Sequence, residues 1–415
     1  MGIGEHTFQQ EVRRSRRNRA LVVGLGISGI ATALRLRSIG WETVIVEKSP
    51  GRRTDGYFIG IFGAGQAAAR RLGILDAIPD RSPANSVNYV VTRSGDRRSG
   101  LGFTDFPGEP RVMLRGDVEQ GAFAALPDDV EIRYTTTPIR IEQDADGVDA
   151  TLEQSGTTVT ERFDLVVGAD GVRSTVRRLV FGPHEQYLRR LGYMIAAFML
   201  PGPIGGISAT EGAMLLEPGR SLLVLPFVDH APTAFFSYRT DDVDLQFTGR
   251  PVDRLRAAYV PKPYGRLLGE ALDAFEATDD YLFDTVEQVQ ASTWSKGRVM
   301  LTGDAAWCAT VYSGMGTSAA LAGADLLGTM LQRHSDRIGP ALLAWENHLR
   351  PHIASYQRTG IKQISLFTPA SRRQIVGRRL FEFVDRLPVV GTATRQRLNN
   401  SEDNLEKDRD IAFVD

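Results

Sequence analysis

The stretch Ala20-Leu-Val-Val-Gly24-Leu-Gly26-Ile-Ser-Gly29 decides the fold of this chain. Residues 20–23 form a short apolar run typical of a buried strand, and the glycines that follow match the pattern Gly-x-Gly-x-x-Gly. Helical periodicity continues over 30–39, and the run Glu42–Val46 predicts a second strand. Strand, glycine turn, helix and strand in this order predict one βαβ unit of an α/β fold with a parallel sheet.

Each part of the glycine turn suits the binding of a phosphate group. Gly24 permits a tight turn, Gly26 lets the backbone approach a pyrophosphate, and Gly29 allows the helix to pack closely on the strand. Ile27 and Ser28 lie at the start of the helix, where N–H groups and the positive end of the helix dipole favour an anion. We therefore expect these five residues to contact a nucleotide cofactor.

Two charged residues follow the second strand. Glu47 stands about 20 residues after the glycines, where a carboxylate accepts hydrogen bonds from ribose hydroxyls. Lys48 is either a phosphate ligand or a solvated surface residue. This first unit predicts a dinucleotide site, but it does not distinguish NAD from FAD.

Two later segments indicate which cofactor is bound. A predicted strand over 164–167 leads into Gly168-Ala-Asp170-Gly171-Val-Arg-Ser174. The run Val299–Leu301 leads into Gly303-Asp304-Ala-Ala, which is followed by Gly314-Met315-Gly316. Together with the first glycine motif, and in this order, these segments resemble the motifs of class A flavoprotein monooxygenases, which have the para-hydroxybenzoate hydroxylase fold. Within that superfamily the chain is similar to the branch that includes the tetracycline-inactivating monooxygenases.

The resemblance implies an α/β chain with a Rossmann-like FAD-binding domain, an inserted, mostly antiparallel β-sheet domain for the substrate, and C-terminal helices. The FAD-binding domain is expected to be discontinuous, over 19–78, 111–183 and 285–339. Residues 79–110 and 184–284, where strands and proline turns prevail, are assigned to the substrate domain. The remaining segments are predicted to be a flexible basic tail (1–18), a helical segment (340–400) and an acidic tail (401–415).

The resemblance also assigns residues to a non-covalently bound FAD. Asp304 is expected to take the ribityl hydroxyls, and Arg115 and Arg53 are expected to approach the cofactor as permanently charged donors. Asp170 and Gly171 are either ligands, in a motif shared by FAD and NAD(P)H binding, or an internal hydrogen-bonding centre. Gly303 is also expected beside the flavin. Gly314, Met315 and Gly316 are expected along the edge of the flavin ring.

The inserted strands predict an apolar wall for the substrate. Alternation along two strands groups Leu225 with Phe227 and Phe236 with Tyr238, and in this fold the same sheet covers the substrate cavity. Next to the flavin, Trp307 and Val311 replace the histidine and proline that are common in the family. These six residues predict a bulky apolar or fused-ring substrate, such as a polyketide, terpenoid or indole metabolite, rather than a small phenolic acid.

Composition excludes several other classes of function. The 415 residues carry 49 basic and 50 acidic side chains, so no global charge field recruits nucleic acid or anionic membranes. The apolar runs are far shorter than a membrane span requires, and the histidines lack the spacing of a metal site. The single cysteine fits a reducing, cytoplasmic setting. The sequence leaves open whether the chain is a monomer or a homodimer.

The implied activity is a monooxygenase reaction with NAD(P)H as a transient reductant. A C4a-(hydro)peroxyflavin would insert one oxygen atom by hydroxylation or epoxidation; the sequence names no catalytic acid or base and does not choose between NADH and NADPH. Two alternatives stay open. A flavin-dependent halogenase shares the fold, although the lysine and the Trp-x-Trp-x-Ile-Pro segment that it needs are not visible. An FAD-containing protein without redox activity could instead bind a metabolite or drug.

Overall fold

The computed structural model describes residues 18–52, 56–84, 86–100, 102, 110–335, 337–385 and 402–414. Most of the predicted basic tail and the candidate ligand Arg53 lie outside these residues, as do 103–109 and 386–401. The strands are β1 Arg19–Val23, β2 Glu42–Val46, β3 Phe58–Ile61, β4 Val87–Val91, β5 Arg97–Ser99, β6 Arg111–Leu114, β7 Glu131–Arg133, β8 Thr136–Gln143, β9 Val148–Gln154, β10 Thr157–Phe163, β11 Leu165–Gly168, β12 Leu188–Met199, β13 Glu211–Glu217, β14 Arg220–Leu225, β15 Thr233–Arg239, β16 Leu282–Val289, β17 Ser295–Lys296 and β18 Val299–Leu301. The helices are α1 Ile27–Ser38, α2 Gly63–Arg71, α3 Arg115–Ala124, α4 Val243–Gln246, α5 Pro251–Ala258, α6 Gly265–Glu276, α7 Asp304–Trp307, α8 Gly316–Arg333, α9 Ile338–Phe367, α10 Arg372–Asp385 and α11 Glu402–Asp408.

A six-stranded sheet forms the centre of the cofactor-binding half, in the order β17-β18-β11-β1-β2-β7. Strand β1 pairs in parallel with both β2 and β11, so the predicted βαβ unit and the α/β class are confirmed. Its residues Ala20, Leu21 and Val22 are fully buried, as a strand covered on both faces requires. Helix α1 begins at Ile27, so the end of the glycine motif forms its first turn. The carboxyl ends of β1, β11 and β18 therefore lead into the three motifs at one edge of the sheet.

A second, seven-stranded sheet has the order β16-β12-β15-β14-β13-β4-β5 and is antiparallel except where β13 meets β4. Helices α5 and α6 contribute to the apolar cluster on one of its faces, a feature that the sequence analysis did not predict. The signal was present, since Leu268, Leu272 and Phe275 recur at helical spacing and are buried. The other face of the sheet is directed toward the segment that precedes α8.

The acidic C-terminal segment is not a solvated tail, contrary to the prediction for 401–415. Helix α11 and the residues after it, to 414, pack against the cofactor-binding half, and Ile411 and Ala412 are buried. Asp410 forms an ion pair with Arg71, with one Nη2 to Oδ1 distance of 2.9 Å. The acidic side chain is thus neutralised by a partner that is distant in sequence, which composition alone does not reveal.

A membrane-spanning helix is absent from the part of the chain that the structure describes.

Candidate active site

The glycine turn after β1 brings the backbone very close to its neighbours. A Cβ atom added to Gly24, whose φ is +108°, would lie 2.6 Å from the carbonyl oxygen of Ala169, and one added to Gly29 would lie 1.9 Å from that of Gly24. Gly26, in contrast, has room for a Cβ atom. An added Cβ there would make only ordinary van der Waals contacts, at 3.5 Å with the side chain of Arg115 and at 3.7 Å with that of Glu119. Helix α1 has no capping side chain at its N-terminus. Its first N–H groups are therefore available to an anion above Gly26.

Arg115 is held over this turn by an acidic partner that the sequence analysis did not identify. Its Nη2 lies 2.6 Å from Oε1 of Glu119, one turn further along α3, and the Glu119 side chain is almost completely buried. The spacing of four residues on a helix was the signal for this pair. The ion pair directs a planar guanidinium toward the glycine turn, a geometry that suits a pyrophosphate.

Glu47 stabilises the same turn from the side. Its two carboxylate oxygens accept hydrogen bonds from the backbone N–H of Leu25 (2.9 Å) and of Ser49 (2.8 Å). Each carboxylate oxygen has a second lone pair, so the group can still accept a bond from a ribose hydroxyl. The neighbouring Lys48 is exposed.

The turn between β18 and α7 meets the glycine turn directly. A Cβ atom added to Gly303, whose φ is +59°, would lie 2.7 Å from Oγ of Ser28, a buried residue whose hydroxyl is 3.5 Å from Thr302 Oγ1. Asp304 follows and is reached by solvent. Enough protein nevertheless surrounds its carboxyl that desolvation raises its pKa, against the opposing charge of Arg115. Asp304 and Arg115 thus act on one shared site.

The segment before α8 forms the third wall of this site. Gly314 is left-handed, with φ +67°, and an added Cβ would lie 3.2 Å from the ring of Phe62. Met315 is buried and directly precedes α8. No side chain caps the N-terminus of α8, and a Cβ atom added to Gly316, its first residue, would meet nothing within 4 Å. The N-terminus of α8 is therefore open to a flat group that carries partial negative charge.

Asp170 is an internal hydrogen-bonding centre, one of the two roles considered for it. Its carboxylate accepts bonds from Ser174 Oγ (2.5 Å) and from the N–H groups of Thr175 (2.6 Å) and Val176 (3.1 Å). Burial raises its pKa despite these bonds. Gly171, the next residue, has a positive φ of +79°. Arg173 follows and donates two hydrogen bonds to Asp284 on β16, at 2.7 and 2.9 Å, so this motif also joins the two sheets.

The two predicted residues of β15, Phe236 and Tyr238, do not lie on the face of the seven-stranded sheet that is directed toward the α8 segment. Phe236 and Tyr238 are buried on the opposite face, where Phe236 packs against Phe198 and Tyr259 at ring-centroid distances of 6.3 and 5.5 Å. Phe235, one position earlier, faces Tyr312. A shift of one residue along a strand exchanges the two faces of a sheet, so Phe235 lies on the face opposite to that of Phe236 and Tyr238.

Leu225 lies at the edge of the same apolar cluster, which we call the inner face. It consists of Ile195, Ala197, Leu223, Phe235, Val286, Tyr312 and Ile364, with Tyr57, Leu191, Tyr193, Met214, Leu225, Leu282 and Phe367 packed against it. Next to it, Arg378 of α10 lines a cavity together with Leu223, Leu225 and Phe367. The inner face thus offers rings and aliphatic side chains, with a guanidinium at its margin.

Three further residues proposed for the pocket have other environments. Phe227 follows β14 and is buried against Phe58, at a centroid distance of 5.7 Å. Trp307 is 1% exposed and packs between Trp294 and Trp345, at 4.7 and 5.6 Å. It therefore belongs to the protein core rather than to a substrate wall. Val311 is 41% exposed.

Tyr312 connects the inner face to two other elements and was missed by the sequence analysis. Its hydroxyl is hydrogen-bonded to Ser237 Oγ of β15 and lies 3.4 Å from Thr368 Oγ1 at the end of α9. Thr368 itself donates to Ser237 Oγ at 2.8 Å. Burial raises the pKa of Tyr312 to about 12, so its hydroxyl is neutral at physiological pH.

Metal ligation has no support in the described portion of the chain, which contains no group of three or more His, Cys, Asp or Glu side chains able to hold an ion.

Comparison with known proteins agrees with this geometry. The family model for an FAD-binding domain matches residues 17–354. A flavin-dependent monooxygenase from an unknown prokaryotic organism is 30% identical over 348 residues, which cover 82% of this chain and 87% of the relative. The chain belongs to the FAD-binding family of flavin-dependent monooxygenases. Its cofactor is accordingly FAD.

Two solved structures of tetracycline destructases have the same fold as this monooxygenase. Tet(51) superposes with a TM-score of 0.76 at 24% identity, over 97% of this chain and 99% of its own. Tet(55) superposes with a TM-score of 0.75 at 25% identity, over 91% and 97% of the two chains. The similarity extends over both sheets and the C-terminal helices.

The residues around the glycine turns fit an FAD molecule. A pyrophosphate and a flavin ring edge require hydrogen-bond donors, which the uncapped N-termini of α1 and α8 and the guanidinium of Arg115 provide. The open space at Gly26 and Gly316 lets the cofactor approach these donors. Asp304 provides an acceptor between them. The α1 end and Arg115 are donors that suit the anionic pyrophosphate, Asp304 is an acceptor that suits the ribityl hydroxyls, and the α8 end is a donor that suits the carbonyl edge of the flavin ring.

Proposed function

We propose that this monooxygenase uses NAD(P)H to reduce its non-covalently bound FAD and inserts one oxygen atom into a bulky, apolar or fused-ring organic molecule. The observation that carries the proposal is the inner face, whose rings and aliphatic side chains are directed toward the turn at Gly314. Two of its structural neighbours are named as tetracycline destructases, which supports a substrate of this size.

Each part of the chain would then have a defined role. Arg115 and the α1 N-terminus would hold the pyrophosphate, and Asp304 would accept hydrogen bonds from the ribityl chain. The N–H groups of α8 would stabilise negative charge on the ring edge. When bound, the flavin supplies electron transfer from NAD(P)H and the activation of dioxygen. The inner face would exclude water from the reacting atoms and orient the substrate ring.

We also propose that the seven-stranded sheet with α4 to α6 is the substrate domain and that the six-stranded sheet is the FAD-binding domain. Tyr57 supports a site between them. Its carbonyl accepts a hydrogen bond from the N–H of Arg115 at 3.0 Å, and its ring packs against the inner face. Burial raises the pKa of the Tyr57 phenol, so it is a neutral hydrogen-bond donor rather than a base at neutral pH. A substrate on the inner face would therefore lie beside the cofactor.

A pair of adjacent phenylalanines tests the placement of the substrate. Phe235→Ala removes a ring from the inner face, and we expect it to lower substrate-stimulated NAD(P)H oxidation about tenfold or more at a fixed, subsaturating concentration, with little change in FAD binding. Phe236→Ala removes a ring that is completely buried on the opposite face, and should destabilise the fold by about 3–5 kcal/mol, more than the loss of the 8% exposed Phe235 ring, without a direct effect on the substrate. Initial rates with a panel of polycyclic, prenylated and hydroxybenzoate compounds, together with thermal unfolding, distinguish the two effects.

The outcome against the proposal is equally specific. If Phe235→Ala retained wild-type stimulation by every active compound of the panel, the inner face would not be the substrate site. Phe236→Ala serves as the control for a loss of ring volume in the same strand.

A further inference from the structure

Lys407 places an ammonium group inside the protein close to the flavin-binding turn. It lies on α11, in the segment predicted to be a tail, and only 4% of the residue is exposed. Its Nζ is 5.2 Å from the centroid of the Phe62 ring. Lysine is rarely buried to this extent, so its position calls for a physical explanation.

The ring of Phe62 is close to both this ammonium and the turn at Gly314. The backbone N–H of Phe62 donates to Ser318 Oγ in the first turn of α8, at 3.0 Å. An added Cβ on Gly314 would lie 3.2 Å from Cε2 of the same ring. One aromatic ring is therefore close to both the charge of Lys407 and the turn before α8 that would face the flavin.

A second connection runs through Gln363 of α9. With its amide oriented so that both neighbours are satisfied, its nitrogen donates to the carbonyl oxygen of Tyr312 at 2.5 Å. Its oxygen accepts a hydrogen bond from Lys407 Nζ at 3.1 Å. Tyr312 belongs to the 3-10 turn Val311–Ser313, which leads directly into Gly314. The lysine thus reaches the backbone of the flavin-binding turn through one side chain.

The surrounding contacts fix the lysine in this position. A Cβ atom added to Gly63, the first residue of α2, would lie 2.8 Å from the carbonyl oxygen of Asp408, so the two chain segments are in close contact. Glu406 is hydrogen-bonded to the His352 ring, and its carbonyl accepts from Tyr356 Oη at 3.2 Å. These contacts lie on both sides of Lys407 along the chain.

We propose that Lys407 is a positioning residue of the flavin site, which orients the turn at 311–316 through Gln363 and raises the reduction potential of the flavin with its positive charge. The inference rests on the proposed placement of the flavin ring along 314–316. A reduced flavin carries more negative charge than an oxidised one, so a nearby cation in a region of low dielectric constant favours reduction. The charge of Lys407 would act in the same direction as the dipole of α8.

The test measures the midpoint potential of the bound flavin in the full-length holoprotein. Lys407→Met keeps the length of the side chain and removes its charge. We expect the equilibrium between oxidised and reduced flavin to shift about tenfold toward the oxidised form, which is about 30 mV for a two-electron couple. Lys407→Arg should restore most of this shift. Lys262→Met removes an exposed lysine from the seven-stranded sheet unit and serves as the control, with an unchanged potential.

A second variant keeps the inference testable if Lys407→Met does not fold. Gln363→Met leaves the ammonium but removes its connection to Tyr312, and should lower the potential by a smaller amount. The inference is overturned if the folded variants bind FAD and have the potential of the wild type. Wild-type protein that bound no FAD would instead contradict the proposed function, and this inference with it.

Discussion

Gly29→Ala is expected to weaken FAD binding strongly and to destabilise the protein. The added methyl group would lie 1.9 Å from the carbonyl oxygen of Gly24 and 3.5 Å from Cγ1 of Val22, in a fully buried strand. Alanine favours a helix over glycine by about 1 kcal/mol, but the collision is with backbone and cannot be relieved by a side-chain rotation. We expect a loss of about 3 kcal/mol in unfolding free energy. A loss of that size in binding raises the Kd for FAD roughly 100-fold.

Gly269→Ala is the matched control for this substitution. Gly269 lies inside α6, and an added Cβ there would meet nothing within 4 Å outside the local helix. Because only the helical preference of this residue changes, we expect the free energy of unfolding to rise by about 0.5–1 kcal/mol and FAD binding to stay unchanged. Denaturant unfolding and FAD titration of both variants provide the measurement. A Gly29→Ala protein with wild-type stability and FAD affinity would show that α1 does not pack on the glycine turn as described.

Asp304→Ala is expected to weaken FAD binding strongly without destabilising the fold. The carboxyl lies beside Gly303 and in the field of Arg115, and it is solvent-accessible rather than committed to the protein core. Removing a charged acceptor of ribityl hydroxyls should cost about 1.5–3 kcal/mol of binding. The Kd for FAD should therefore rise roughly 10- to 150-fold, with little change in the stability of the apoprotein.

Asp170→Asn separates a ligand from a structural acceptor. Both carboxylate oxygens of Asp170 are engaged by Ser174, Thr175 and Val176, so the amide would lose part of this set. We expect a lower melting temperature but an FAD affinity closer to wild type than that of Asp304→Ala. Equal FAD dissociation constants for wild type and Asp304→Ala would contradict the ribityl assignment.

The parts of the site that are encoded by short sequence motifs could be predicted. A glycine turn depends on residues that are close in sequence, so the βαβ unit could be placed from its local pattern. The Gly303-Asp304 turn and the Gly314 segment could be placed from their resemblance to the motifs of a known family. The interaction of Arg115 with Glu119 was also within reach, because four residues on a helix is one turn.

The features that depend on long-range packing could not be predicted. Ser237 and Thr368 are separated by 131 positions and meet only through the tertiary fold, together with Tyr312. Phe235 and Phe236 lie on opposite faces of β15. Alternation along the strand separates the two sets of side chains, but it does not say which set faces which side of the sheet. Asp410 pairs with Arg71, which is 339 positions away in the sequence, so the segment that was predicted to be an acidic tail is part of the packed structure.

Oxygen transfer itself tests the central claim most directly. Purified holoprotein, NAD(P)H and the polycyclic, prenylated and hydroxybenzoate panel would be incubated under labelled dioxygen, and the products analysed by mass spectrometry. The account predicts a product of a bulky apolar or fused-ring compound that contains a single labelled oxygen atom, formed in proportion to the NAD(P)H consumed. Efficient, tightly coupled hydroxylation of a small hydroxybenzoate, or NAD(P)H consumption without labelled product from any compound of the panel, would contradict it.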